Sequence, residues 1–271
     1  MGEVAWQPAA VDEESPAAET DAPVGVSDEP PRRVVHVLAR KADAVAKRAL
    51  DAVVAAAVLL AFAPLIACIA LLIKLDSRGP IFYRCRRAGY RGRELRMLKF
   101  RKMRDDAAGP PLALVDDDRF TAIGRFLARA KLDELPQLWN VFKGEMSLVG
   151  PRPEDLAFVA VYPNDYERIL QVKTGVTGLC QLAFAKEGEI LDRSDRLDHY
   201  VARLLPQKVR MDLLYAHRRS FVMDLRILIW TAVAVIARRD VAVDRSDGRL
   251  TLRRRRSSAI AATRVQATNV E

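Results

Sequence analysis

Cysteine, histidine and aromatic side chains are all scarce in this chain. Its three cysteines, Cys68, Cys85 and Cys180, stand far apart with no paired spacing, so neither a disulfide framework nor a zinc knuckle follows from them. Small buried or membrane-facing thiols in a reducing compartment fit better. His36, His199 and His217 lack the spacing of metal ligands. Glycine-rich phosphate loops are missing too: Gly89, Gly92, Gly175 and Gly178 fit neither the Walker nor the dinucleotide template. No serine-hydrolase elbow is present. These absences exclude the commonest nucleotide-handling and acyl-transfer designs, and no internal repeat suggests a solenoid.

Charge of one sign is also missing from one end. Residues 1–31 hold eight acidic side chains and no Lys or Arg. Rich in Pro, Ala, Glu and Asp, this segment cannot bury enough apolar surface to offset its ordering entropy and is expected to be disordered. It lacks the basic start and apolar core of a signal peptide. Residues 32–271 therefore hold all 44 basic side chains against 27 acidic ones, a net +17. So basic a body suits a polyanion: nucleic acid, an anionic membrane face or phosphorylated substrates.

What the chain does have is one long uncharged run. Ala52–Ile73 would make a helix of about 33 Å against a hydrocarbon core of about 30 Å. Pro64 near its middle removes a backbone donor and should break or kink the helix. Both flanks are positive: Arg40, Lys41, Lys47 and Arg48 before it, Lys74, Arg78, Arg84, Arg86 and Arg87 after it. Positive residues favour the cytoplasmic side, so a hairpin that dips in and returns satisfies both ends better than a span. Residues 32–48 read as a basic helix lying on an anionic surface, and 49–75 as the re-entrant hairpin. A cytosolic domain follows over 76–240, then a basic and polar tail over 241–271.

Within that domain, Pro80–Tyr83 and Leu95–Phe100 read as short strands either side of an Arg-rich turn. Phe120–Arg129, Leu138–Phe142, Tyr166–Gln171 and Leu204–Arg218 follow helical spacing. Gly150–Pro153 reads as a rigid loop, and Arg226–Ala237 as an interfacial or buried apolar helix. The expected fold is α-rich α/β.

Chemistry concentrates in Lys131-Leu132-Asp133-Glu134-Leu135-Pro136-Gln137-Leu138-Trp139-Asn140. Adjacent carboxylates suit a divalent cation plus a base or nucleophile. Placed before a helix start, they lie where phosphate would meet free N–H groups; they equally suit plain N-terminal caps. In Ser147-Leu148-Val149-Gly150-Pro151-Arg152-Pro153, two prolines stiffen the backbone around an arginine whose fork of donors matches a phosphate. A solvated arginine in a structural turn is the alternative. Lys99-Phe100-Arg101-Lys102-Met103-Arg104 alternates basic and apolar residues like an extended segment with one cationic face, or like an exposed edge strand.

Together these stretches resemble the bacterial sugar transferase family, the monotopic phosphoglycosyl transferases that begin polyprenyl-linked glycans. The resemblance runs from about Lys47 to Arg238. It extends to Gly144-Glu145-Met146, Thr174-Gly175-Val176-Thr177-Gly178, Asp212-Leu213-Leu214-Tyr215 and Asp224. It implies a monotopic protein whose re-entrant helix breaks at Pro64, with surface helices and a small catalytic domain on the cytoplasmic face of the bacterial inner membrane. It implies transfer of a sugar-1-phosphate from a UDP-sugar to polyprenyl phosphate with release of UMP. Asp133 would be the covalent nucleophile, with Glu134 holding Mg²⁺ or assisting. Lys99, Arg101, Arg129 and Arg152 would bind phosphate, and Pro151, Pro153, Gln181, Asp212 and Tyr215 would support the site. Charge neutralisation by a metal and cationic side chains is what displacement at a diphosphate requires. The partners implied are a UDP-sugar, polyprenyl phosphate and anionic lipids, not nucleic acid.

This sequence departs from the family pattern in three places. Ala63 stands where Ser often precedes the membrane proline, Ala128 where Arg often stands five before the nucleophile, and Ala183-Phe184-Ala185-Lys186 where Asn-Gly-Arg is common. Nothing in the sequence selects a sugar, a polyprenol length or an oligomeric state. Of the rivals, a nucleic-acid binder leaves the hairpin unexplained and shows no binding motif. A non-catalytic membrane scaffold has no need of Asp133-Glu134.

Overall fold

A computed structural model of the chain describes residues 31–104, 117–185 and 196–252, with side chains from residue 43 onward except Arg196. The acidic segment expected to be disordered lies outside the described residues up to 30, as does the tail from 253, and Lys186 with them. Residues from Lys41 onward form one compact unit.

Two helices open the described part. Helix α1 runs Pro31–Ala61 and α2 runs Ala63–Asp76, with a bend of 62° between Asp43–Ala61 and Ala63–Asp76. Pro64 sits in the first turn of α2, where it lacks the N–H that would continue the ladder to Leu60 and its ring crowds that carbonyl. The proline break expected from the sequence is therefore present. The division expected at residue 48 is not marked in the backbone, since α1 continues through it without interruption. Among the described residues no single helix is long and apolar enough to cross a membrane; the bent pair passes that test only together.

The next segment is an antiparallel hairpin of β1, Phe82–Ala88, and β2, Glu94–Phe100, paired from Phe82↔Phe100 to Ala88↔Glu94. Its turn needs left-handed backbone at Arg91 and Gly92. The Arg-rich stretch expected as a turn is thus strand: Arg84 and Arg86 face out while Cys85 is buried, the period-two pattern of a half-buried strand. Helices α3, Ala122–Ala130, and α4, Gln137–Lys143, follow. Strand β3, Ser147–Val149, pairs in parallel with β4, Gly175–Thr177, and between them lie α5, Leu156–Val159, and α6, Pro163–Ile169.

Helix α7 spans Leu179–Ala183 and α8 spans Arg196–His199. A π-helical turn, Tyr200–Leu204, leads into α9, Leu205–Arg218, and α10 occupies Phe221–Ile236. A last hairpin of β5, Val241–Val243, and β6, Leu250–Leu252, closes the described chain. Residues expected as the start of a tail are therefore ordered here, because Val241 is buried and Val243 and Leu250 pack on the core. The architecture is α-rich α/β, with three separate two-stranded sheets.

The main core joins Ala55 of α1, Met97 of β2, Val141 of α4, Val149 of β3, Leu179 of α7, Tyr215 of α9 and Ile227 of α10. The first arm of the bent pair is thus part of the domain core. The second arm seats Ile69 and Ile73 against Phe100 and Leu127. Elsewhere the pair leaves Leu60, Leu71 and Leu75 exposed, and α10 leaves Val222, Leu225, Ile229 and Ile236 exposed.

Two close approaches fix the site. Gly124 of α3 lies so near the Lys102 backbone that a Cβ there would stand 1.8 Å from the Lys102 carbonyl oxygen, and Thr121 N–H donates to that same oxygen at 3.1 Å. On the other side, a Cβ on Gly175 would lie 2.1 Å from Gly150 N. Only bare backbone lets the Gly150–Pro153 loop rest on β4.

Candidate active site

Asp133 and Glu134 occupy a single 3₁₀ turn, Leu132–Glu134, between α3 and α4. Lys131 turns the chain into it with left-handed backbone, φ 58°. Helices commonly end in this conformation, but usually on glycine, and a side chain held there is a form of strain that concentrates at functional sites. The carboxylates do not cap α4: Pro136 fills its N-cap position, with no side-chain cap bond. The helix-cap alternative is thereby removed, and α4, with only seven residues, is not what faces the two charges.

Lysines face them. Lys99 Nζ of β2 lies 3.0 Å from Glu134 Oε1, and Lys102 Nζ lies 3.2 Å from Asp133 Oδ2. The Asp133 side chain is only 4% exposed. Burial pushes the Glu134 carboxyl up, but Lys99, Arg152 and Lys131 together outweigh it and hold the group at about 2. Glu134 is therefore a carboxylate at every physiological pH. Arg152 reaches this neighbourhood from a loop held on both sides. Gly150 N–H donates to Thr177 O at 3.0 Å, Gly175 N–H to Pro151 O at 2.8 Å, and Arg152 N–H to Asp212 Oδ1 at 3.3 Å. Pro151 and Pro153 are buried, so packing adds to the backbone bonds that hold the loop.

The supporting residues have separate duties. Burial drives the Asp212 carboxyl up to about 8 against the Arg152 N–H that it accepts; Glu154 pushes the same way and Lys208 opposes it. A mostly protonated Asp212 thus underlies the loop at neutral pH. The Tyr215 hydroxyl lies 3.1 Å from Val149 O and 2.7 Å from Asp224 Oδ1, and burial first, then Asp224, raises its phenol. Gln181 Nε2 donates to Gly175 O at 3.1 Å, while its Oε1 is buried without a partner. All three brace the Arg152 loop or the strands beneath it.

The other two residues read as phosphate ligands are Arg101 and Arg129. The Arg101 guanidinium is buried against the end of α2, donating to the carbonyls of Arg78 and Ser77 and to Ser77 Oγ. These contacts engage the backbone just past the end of α2. Arg129 is exposed on the last turn of α3.

Sequence reasoning assigned no role to Lys102 or Asn140. Buried Asn140 donates to Arg96 O at 3.0 Å and to Glu145 Oε2 at 2.7 Å, and accepts from Leu98 N at 2.9 Å. It ties β2, which carries Lys99, to α4, which follows Glu134. An asparagine is a poor helix-interior residue, and that was the available signal.

No group of three or more His, Cys, Asp or Glu side chains able to hold a metal occurs among the described residues. Two adjacent carboxylates, one firmly ionised, still match a magnesium ion that takes its remaining ligands from phosphate and water. The donor set fits a metal brought in with a diphosphate and does not fit an all-protein cage.

Residues 42–238 match the sequence profile described as bacterial sugar transferase. The chain is 38% identical over 206 residues to a UDP-glucose:undecaprenyl-phosphate glucose-1-phosphate transferase of Xanthomonas campestris pv. campestris, covering 72% of this chain and 40% of that one. A Caulobacter vibrioides protein of the same name is 38% identical over 195 residues, 70% of this chain and 69% of that one. The exopolysaccharide production protein PSS of Rhizobium leguminosarum bv. phaseoli is 37% identical over 205 residues, 72% and 98%. The chain thus spans under half of the Xanthomonas relative and nearly all of the Rhizobium one.

Removing Lys99 tests the electrostatic balance. In Lys99→Met, burial of Glu134 loses its strongest opponent, so the carboxyl rises from about 2 and folding stability at neutral pH falls. A group with a depressed folded-state pKa contributes stability above its unfolded value and loses it as pH falls through the folded one. The gap between wild type and Lys99→Met should therefore be widest at neutral pH and narrow as pH falls towards 2, followed by denaturant unfolding. A gap constant with pH would mean that Lys99 acts on packing alone.

Proposed function

The chain belongs to the bacterial sugar transferase family, and we propose that it transfers a sugar-1-phosphate from a UDP-sugar to undecaprenyl phosphate, releasing UMP, to begin exopolysaccharide or another glycan. The observation that carries this reading is the lysine-paired Asp133-Glu134 turn with Arg152 beside it. Two transferases named for UDP-glucose make UDP-glucose the first donor to try.

In the first step an Asp133 Oδ atom attacks the sugar-bearing phosphorus. A P–O bond forms to the carboxylate, and the bond from that phosphorus to the bridging oxygen breaks. UMP departs with the bridging oxygen and the electron pair. In the second step a phosphate oxygen of the polyprenyl phosphate attacks the same phosphorus. The acyl-phosphate bond breaks, the Asp133 carboxylate is restored and a polyprenyl diphosphate sugar is formed. Splitting one difficult displacement into two is the gain of a covalent intermediate. Lys102 lies against Asp133 and Lys99 against Glu134, so both ammonium groups and Arg152 are positioned to receive phosphate charge. Glu134, with phosphate oxygens, would hold Mg²⁺, which when bound supplies further neutralisation of the diphosphate.

The bent α1–α2 pair is proposed to enter the membrane and return on the cytoplasmic face. Its 62° bend, its exposed leucines and the basic residues at both ends support that placement, which sets the site beside a lipid acceptor.

Asp133→Asn keeps size but removes the nucleophile, and turnover should fall roughly 10³-fold or more. Wild-type enzyme given labelled UDP-glucose without acceptor should carry label on the peptide holding Asp133, lost when undecaprenyl phosphate is added. Release of UMP from an unlabelled enzyme, or label on Asp133→Asn, would overturn the covalent assignment.

The metal is tested with Mn²⁺ as a paramagnetic substitute. Its affinity should be weak for the protein alone and rise roughly tenfold or more once UDP is present, since the phosphates complete the ligand set. Glu134→Gln should abolish that rise. Equal affinity with and without UDP would sink the shared-ligand account.

A further inference from the structure

Helix α1 does more than an apolar anchor needs to do. Three polar side chains on it, Lys47, Arg48 and Asp51, are spaced to share one helical face and turn towards the domain. Asp51 is only 5% exposed, beside core-facing Val54, Ala55 and Val58. A buried carboxylate is costly unless it is hydrogen-bonded. Asp51 is bonded twice, accepting from Ser147 Oγ at 2.8 Å and from Leu148 N at 3.1 Å.

The partners of the three are not scattered. Arg48 donates to Val141 O at 2.8 Å and to Phe142 O at 2.6 Å, a cation on the carbonyls of the last turn of α4, where the helix dipole favours it. Asp51 holds the first two residues of β3. Lys47 donates to Val149 O at 3.3 Å, the last residue of β3, and to Asp224 Oδ2 at 2.6 Å. The gripped segment, 141–149, lies on the stretch of chain that joins the Asp133-Glu134 turn to the Arg152 loop.

We infer that Arg48 and Asp51 are positioning residues, through which α1 sets the placement of Arg152 relative to Asp133 and Glu134. The inference rests on the transfer reading above. Its consequence is that movement of the α1–α2 pair would be passed through these hydrogen bonds and the 141–149 segment to the turn and loop that hold the reacting groups. Reaction geometry is sensitive enough for this to matter, since a misplacement of about 1 Å can cost roughly 10²-fold in rate.

The test uses the full chain in lipid nanodiscs, with UMP release as the readout. Arg48→Met keeps an unbranched chain without the donors, Arg48→Lys keeps the charge and N–H donors but not the planar fork, and Asp51→Asn keeps size and loses charge. In Arg48→Met and Asp51→Asn, kcat should fall roughly tenfold while KM for UDP-sugar stays within about twofold, the split expected when ground-state binding is untouched. Arg48→Lys should recover to within about threefold of wild type. Wild-type kcat in folded Arg48→Met or Asp51→Asn, a loss confined to KM, or no rescue by Arg48→Lys would each overturn the inference. If either fails to fold, Ser147→Ala decides: it removes one bond to Asp51 and should show the same kcat-only loss of about threefold, and normal turnover would count against the proposal. A wild-type enzyme that releases no UMP would instead defeat the transfer reading itself.

Discussion

Two carboxylates adjacent in the chain and turned into one poorly hydrated turn repel each other, and burial penalises both. The pairing of Lys99 with Glu134 and Lys102 with Asp133 makes that turn possible, and much of the surrounding structure serves to keep the pairing. β2 must end where it does, Asn140 must bind it to α4, and Gly124 must let α3 lie on the Lys102 backbone. In the proposed reaction the same lysines would also meet an incoming diphosphate, so fold stability and substrate binding would draw on one set of cations.

The opposite wall is built on a different principle. Backbone bonds from Gly150, Pro151 and Arg152 to β4 and Asp212 leave the Arg152 loop little freedom. The Lys47–Asp224 ion pair and the Tyr215 hydroxyl meet at Val149, just before that loop. Buried polar networks of this kind tolerate few partial losses, which makes the seating of α1 a condition for the loop as well as for the core.

Much of this was legible in the sequence where one local rule decides. Pro64 breaks a helix by its own chemistry, and Asp133-Glu134 and Pro151-Arg152-Pro153 advertise themselves by adjacency. Where the answer depends on the end of an element, the sequence was silent. Strict alternation puts Lys99 and Arg101 on one face; β2 instead stops at Phe100, so Arg101 turns to the end of α2 and Lys102 meets Asp133. Asp51 directly precedes the uncharged run and drew no reading, and only tertiary packing reveals it as buried. The β5–β6 hairpin was missed because strands of three residues, separated by charged turn residues, carry too little pattern to stand out.

The central claim, that Asp133 takes up the phosphosugar before the lipid does, is tested most directly by stereochemistry at phosphorus. A UDP-sugar made chiral at its sugar-bearing phosphorus by one sulfur substitution would be turned over with undecaprenyl phosphate, and the configuration of the product determined. Two successive in-line displacements, each inverting the centre, predict net retention. Net inversion would mean a single direct transfer to the lipid and would contradict the account.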